Sequence, residues 1–141
     1  MIALDTNILV YAHRAGVPEH GAAKRSIEDV ARRPGGWCIP FPCIGEFWAV
    51  VTHPASTGRP SRPREARQFL NNLVAAGAKI LYPRNGAMER LVELAVRLDV
   101  QGPRIFDLQI GLICQDAGAR EIRSHDRNFI AVPGLAVNDP L

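Results

Sequence analysis

Four acidic side chains of this 141-residue chain stand where a charge is costly: Asp5, Glu46, Asp107 and Asp126. Asp5 follows the apolar run "MIAL", Glu46 is the only formally charged residue between Arg33 and Arg59, and Asp107 is the only one between Arg104 and Asp116. Asp126 closes "EIRSHD", which reads as a short strand, and so belongs at the same carboxyl edge as Asp5. A buried, unpaired carboxylate either loses several kcal/mol of hydration or gives up its ionisation. Each acid alone has an ordinary explanation: Asp5 and Asp126 as caps or turn residues, Glu46 as the partner of a buried Arg, Asp107 as a first-turn acid favoured by the helix dipole. Together they repel, by on the order of 4 kcal/mol for two charges about 4 Å apart at an effective dielectric near 20. A cation between them resolves the conflict, and hard oxygen ligands of this kind suit Mg²⁺ or Mn²⁺.

Such an ion lowers the pKa of a bound water, orients it in line with a phosphodiester and neutralises charge in the transition state. No nucleophilic side chain is then needed, and no Ser/His/Asp or Cys/His arrangement is evident. His13, His20, His53 and His125 are scattered without metal-ligand spacing, and His125 reads as a solvent-facing loop residue.

The elements that must carry these acids follow from periodicity and punctuation. "IAL" reads as a buried strand, Thr6 to about Ala12 as a helix, Lys24 to Arg33 as another ended by "RRPGG", and "WCIPF" as a second strand. "CIGEFWAVVTH" reads as a helix closed by Pro54, "HPASTGRPSRPR" as loop, and Ala66, Phe69, Leu70, Leu73 and Val74 mark a helix stopping at Gly77. "AKILYP" is a third strand, and Asn85 is the expected cap of a helix with the stripe Met88, Leu91, Val92, Ala95 and Leu98. "IFDLQIGLICQDAG" reads as a helix on which Asp107 faces the core, beside Ile110 and Gly111, while Asp116, half a rotation away, can face water. "EIRSHD" and a terminal "LAV" complete the strands. Alternating strands and helices predict an α/β/α sandwich with a mainly parallel sheet of four or five strands, binding its ligand beyond the carboxyl strand ends.

The length suits one domain, residues 1–141. No apolar run approaches the roughly 20 residues that span a bilayer. The start lacks a basic n-region and a small-residue cleavage site, so the expected location is cytoplasmic. Cys38, Cys43 and Cys114 are an odd number without CxxC spacing, which fits buried hydrophobes rather than a disulfide framework or zinc site. The net charge is +3, and the basic residues are fifteen Arg against two Lys, a mild composition in favour of phosphate partners. "GRPSRPREAR" places Arg59, Arg62, Arg64 and Arg67 within nine residues, a phosphate-tracking surface or simply a solvated loop and helix start.

The ordered set "ALDTNILVYA", "GEFWAVVTHP", "IFDLQIGLI" and "RSHDRNF" resembles the four acidic motifs of the PIN-domain nucleases, most closely the VapC-type toxins of prokaryotic toxin–antitoxin pairs, over essentially the full chain. The resemblance implies Asp5, Glu46, Asp107 and Asp126 as catalytic metal ligands, with Asn7 and Ser124 as supporting polar residues. It implies an Mg²⁺-dependent endoribonuclease, with Mn²⁺ as a substitute, that leaves a 5′-phosphate. The implied partners are RNA, a VapB-like antitoxin whose tail offers an Arg or Lys to the acidic pocket, and a second copy in a homodimer. Val10, Tyr11, Phe47, Trp48 and Val51 are candidates for lining that tail's groove. This chain has Ser124 where the family usually has Thr, Asn128 where it often has Asp, and Leu108 where it usually has a small residue. Two other classes stay open: a PIN-like module that binds RNA or protein without cutting, and another α/β phosphotransfer domain. Four acids in place speak against the first. Asn7, two residues after Asp5, and the lack of an early acidic pair speak against the second.

Overall fold

A computed structural model describes residues 1–56 and 58–141; Thr57, within the expected Pro- and Arg-rich loop, lies outside the described residues. The elements in chain order are β1 (Ile2–Leu4), α1 (Thr6–His13), α2 (His20–Arg32), β2 (Trp37–Pro40), α3 (Phe41–Thr52), α4 (Pro63–Ala75), β3 (Ala78–Leu81), α5 (Ala87–Arg97), a one-turn 3₁₀ helix (Gly102–Arg104), α6 (Ile105–Asp116), β4 (Glu121–Arg123) and β5 (Ala136–Asn138). The strands form one sheet in the order β3-β2-β1-β4-β5, with every pair parallel. Ala3 pairs with Cys38 on one side and Ile122 on the other, so β1 is the central strand.

This order places the site. From β1 the chain moves outward to β2 and β3, then returns past β1 to β4 and continues outward to β5 on the other side. The segments leaving β1 and β4 therefore diverge, and a crevice opens at their carboxyl ends, where α/β sheets bind ligands. Asp5 follows β1 directly, and Ser124 to Asp126 follow β4. The Asp5 N–H donates to the Arg123 carbonyl at 3.0 Å, locking the two strand ends in register.

The sheet's buried residues, including Leu4, Trp37, Ile39 and Ile122, pack against Ile8 and Leu9 of α1, Phe47 and Val51 of α3, and Leu108 and Ile110 of α6. Burial of such side chains is worth roughly 1.5–3 kcal/mol each before entropy is counted. Gly111 lets α6 approach the segment after β4: a Cβ there would lie 2.7 Å from a Val132 methyl carbon. Leu108, unusual in its motif, is fully buried and fills core volume. The three cysteines are free and buried, and desolvation pushes the Cys38 and Cys114 thiols up to about 12.

Several helix limits differ from the sequence reading. Helix α2 starts at His20 instead of Lys24, because the His20 ring hydrogen-bonds the Tyr11 carbonyl at 2.9 Å and the inward stripe Ala23, Ser26 and Val30 begins one turn earlier. Helix α3 starts at Phe41, with Pro42 in its first turn, where the missing N–H costs nothing. The cap of α5 is Gly86 at φ 80°, not Asn85; the left-handed backbone makes a glycine the suitable residue. On α5, Leu94 is buried with Leu91 and Ala95 packed beside it, whereas Met88 and Val92 of the expected stripe are 72% and 48% exposed. Arg90 of α5 donates to both carboxylate oxygens of Asp116 on α6 at 2.7 and 2.8 Å, tying the two helices together. Asp116 is thus not a water-facing acid: its side chain is 14% exposed, nearly the same as Asp107.

Candidate active site

Asp5 is both a helix cap and a pocket residue. As N-cap of α1, it accepts the Thr6 N–H at Oδ1 (2.7 Å). Its Oδ2 accepts the Ser124 hydroxyl at 2.6 Å and the Asn7 amide at 2.9 Å. The residue is 6% exposed. Burial raises its pKa above the ordinary carboxylate value, and the charges of Glu46 and Asp107 push the same way against the hydrogen bonds from Ser124 and Thr6.

Asn7 and Ser124 form the brace around that carboxylate. Asn7 donates to Asp5 and to the Ser124 hydroxyl oxygen (3.1 Å), and its own oxygen accepts the His125 N–H at 2.9 Å. The Ser124 oxygen also accepts the Asp126 N–H at 3.1 Å, so one hydroxyl links the ends of β1 and β4. All of these contacts are made by the Ser124 hydroxyl.

The other acids arrive from separate elements. Glu46 comes from α3, and its Oε2 accepts the Thr6 hydroxyl at 2.6 Å. Asp107 lies in the first turn of α6, where the helix dipole favours a negative charge, and its Oδ2 accepts the Ile130 N–H at 3.0 Å. Asp126 closes a turn by accepting the Asn128 N–H at 2.9 Å through Oδ1. All four acids line one open cleft of about 330 Å³, with Thr6, Asn7, Val10, Tyr11, Val50 and Ile110 completing its wall.

Arg104, at the end of the 3₁₀ turn, is the cation of this cleft. Its Nη1 lies 2.6 Å from Asp126 Oδ2 and 3.2 Å from Asp107 Oδ2. The hydrogen bond and charge of Arg104 hold the Asp126 carboxyl below its ordinary pKa. Among the described residues no three His, Cys, Asp or Glu side chains converge closely enough to enclose an ion unaided. The Arg104 guanidinium stands between two of the acids. Thr6 and Arg104 are the site residues that sequence reasoning missed; the signals were the hydroxyl inside "DTN" and the i,i+3 spacing of Arg104 and Asp107.

Other expected residues lie elsewhere. None of Arg59, Arg62, Arg64 and Arg67 lines the acidic cleft. Arg59 pairs with Glu65 at 3.0 Å, while Arg62, Arg64 and Arg67 are exposed at the start of α4. His125 is not a free loop side chain, since it pairs with Asp139 at 2.9 Å and meets the edge of Tyr11. A groove of about 570 Å³ adjoins the acidic cleft, sharing Val10, Tyr11 and Val50 with it and extending over Arg14, Val17 and His53. Phe47 and Val51 are fully buried and cannot line it, and Trp48 is not among its lining residues.

Comparison with known proteins places this geometry in a family. The PIN-domain family model matches residues 2–135. The chain is 30% identical, over a 142-residue alignment covering all of it and 96% of the relative, to the VapC ribonuclease Mb2897 of Mycobacterium bovis. Its fold is similar to the crystal structure of VapC20 from Mycobacterium tuberculosis, a Sarcin-Ricin loop cleaving toxin, with a TM-score of 0.70 at 20% identity over 92% of both chains. It is also similar to VapBC2 from Rickettsia felis, solved bound to a promoter DNA fragment, with a TM-score of 0.67 at 19% identity over 98% of both chains. The chain belongs to the PIN-domain family, and its curated relatives there are VapC ribonucleases.

Proposed function

We propose that this protein is a divalent-metal-dependent endoribonuclease, the toxin of a VapBC-type pair, with Asp5, Glu46, Asp107 and Asp126 as its acidic site. The observation that carries the reading is the convergence of four acids from four chain segments on one cleft at the switch point of the sheet. The donor set fits Mg²⁺ or Mn²⁺: it is all oxygen and all carboxylate, and a guanidinium already neutralises part of it. When bound, the ion supplies an activated water and charge neutralisation at the scissile phosphate.

The chain's own residues prepare that chemistry. Asn7 and Ser124 fix the rotamer of Asp5, Thr6 orients Glu46, and the Ile130 and Asn128 amides hold Asp107 and Asp126. Val10, Val50 and Ile110 make part of the wall apolar, which strengthens electrostatics within the cleft. Arg62, Arg64 and Arg67 are proposed to contact the RNA backbone, with Arg59 occupied chiefly by Glu65. The groove beside the cleft is proposed to hold the tail of a VapB-like antitoxin, and exposed Met88, Val92 and Val96 of α5 are available for a homodimer contact. No helix among the described residues is long and apolar enough to cross a membrane, and a cytoplasmic location is part of this proposal.

Incubation of total RNA with the purified protein tests the activity. Cleavage is expected with Mg²⁺ or Mn²⁺, absent in EDTA, and lost in Asp107→Asn. A folded protein that cuts no RNA with either ion would make the non-catalytic binding module the better reading.

A further inference from the structure

Arg104 carries an inference that rests on the metal-binding reading above and goes beyond it. We infer that Arg104 is an intramolecular competitor of the divalent ion, occupying Asp107 and Asp126 in the metal-free protein and giving them up when the ion binds. Among the described residues, it is the only Lys, Arg or His whose nitrogen comes within 4.0 Å of any of the four acids. Both contacts use the same nitrogen, Nη1, at 2.6 and 3.2 Å, so neither carboxylate is held by the bidentate fork that makes Arg pairs strong. The rest of the guanidinium makes no hydrogen bond to the described residues, and the side chain is 36% exposed.

The acids it bridges are each held by a second, independent bond: Asp107 by the Ile130 amide and Asp126 by the Asn128 amide. They therefore stay in place when the arginine leaves. A dication held on these two carboxylates stands close to the guanidinium bound at their Oδ2 atoms, and the two cations repel. Metal binding and Arg104 release are thus thermodynamically linked, and the arginine lowers the apparent affinity for the ion by its own affinity for the acids. In return, it relieves carboxylate repulsion while no ion is bound. Arg104 is a positioning residue in this role, setting how much free metal is needed to load the site.

Calorimetric titration of Mn²⁺ into the parent, Arg104→Ala and Arg104→Lys tests this, together with melting temperatures in EDTA. Arg104→Ala is expected to bind Mn²⁺ at least about fivefold more tightly and to melt lower in EDTA, with the difference shrinking as Mn²⁺ is added. Arg104→Lys, which keeps the charge without the planar head, is expected to bind with intermediate affinity and supplies the comparison if the alanine variant does not fold. A purely structural arginine would weaken binding when removed. Equal or weaker Mn²⁺ binding by both variants, with the parent binding normally, would overturn this inference alone. A folded parent that neither binds Mn²⁺ nor cleaves RNA would overturn the metal-site reading beneath it.

Discussion

Asp5→Asn is expected to reduce RNA cleavage by more than about a hundredfold while leaving the metal-free protein at least as stable as the parent to within about 1 kcal/mol. The activity loss follows from removing a charged oxygen that the proposed site offers to the metal; loss of an outer partner at a metal site already costs about 10- to 100-fold. The stability result follows from the electrostatics. Burial, with Glu46 and Asp107 nearby, raises the Asp5 pKa, so its ionised form is a burden on the folded state. That burden is present above the raised pKa and disappears as the pH falls below the unfolded value, because the folded protein takes up its proton first. Asparagine removes the burden at neutral pH and keeps an oxygen for the Thr6 N–H, so the cap on α1 survives. The amide does lose part of the bonding to Asn7 and Ser124, which offsets the gain. Denaturant midpoints in EDTA and initial cleavage rates check both halves, and a variant that unfolds in EDTA would show that the cap outweighs the charge.

Phe47→Ala is expected to cost about 3–5 kcal/mol, a large part of the roughly 5–15 kcal/mol available to a domain. Phe47 is fully buried, stacks on Phe69 of α4 at 5.2 Å between ring centroids, and meets the edge of the His13 ring at the end of α1 at 5.4 Å. It therefore joins three helices, and it directly follows Glu46 in the chain. The cavity left behind loosens α3 beneath the site, so the variant is expected to lose activity beyond its loss of folded fraction. Urea unfolding with an unchanged slope and a lowered midpoint is the expected signature. A loss under about 1 kcal/mol would mean that the neighbouring helices collapse into the space.

The acids were legible because isolation in an apolar stretch is written in the sequence. Asp5 and Glu46 have no charged neighbours in their segments, and strand order then carries them to one edge. What periodicity could not supply was the rotation of α5. Its apolar surface is wider than one stripe, and packing of Leu91, Leu94 and Ala95 on the core decides which part faces inward. The Arg90–Asp116 pair defeated the contrast drawn between Asp107 and Asp116: both are shielded, one toward the cleft and one against a partner helix. Arg104 stands just before α6, and only the fold shows that its i,i+3 neighbour Asp107 and the distant Asp126 share its head group. At Asp5 a helix cap and a cleft-lining residue coincide, since one oxygen serves the helix and the other faces Asn7 and Ser124.

The chemistry of the cut ends tests most directly whether this cleft hydrolyses RNA with a metal-activated water. Water attack directed by the acidic cleft uses neither a nucleophilic side chain nor the ribose 2′-hydroxyl. Fragments carrying 5′-phosphate and 3′-hydroxyl ends, formed with Mg²⁺ and not in EDTA, are the expected result. Fragments with 5′-hydroxyl and 2′,3′-cyclic phosphate ends, formed equally well in EDTA, would contradict it.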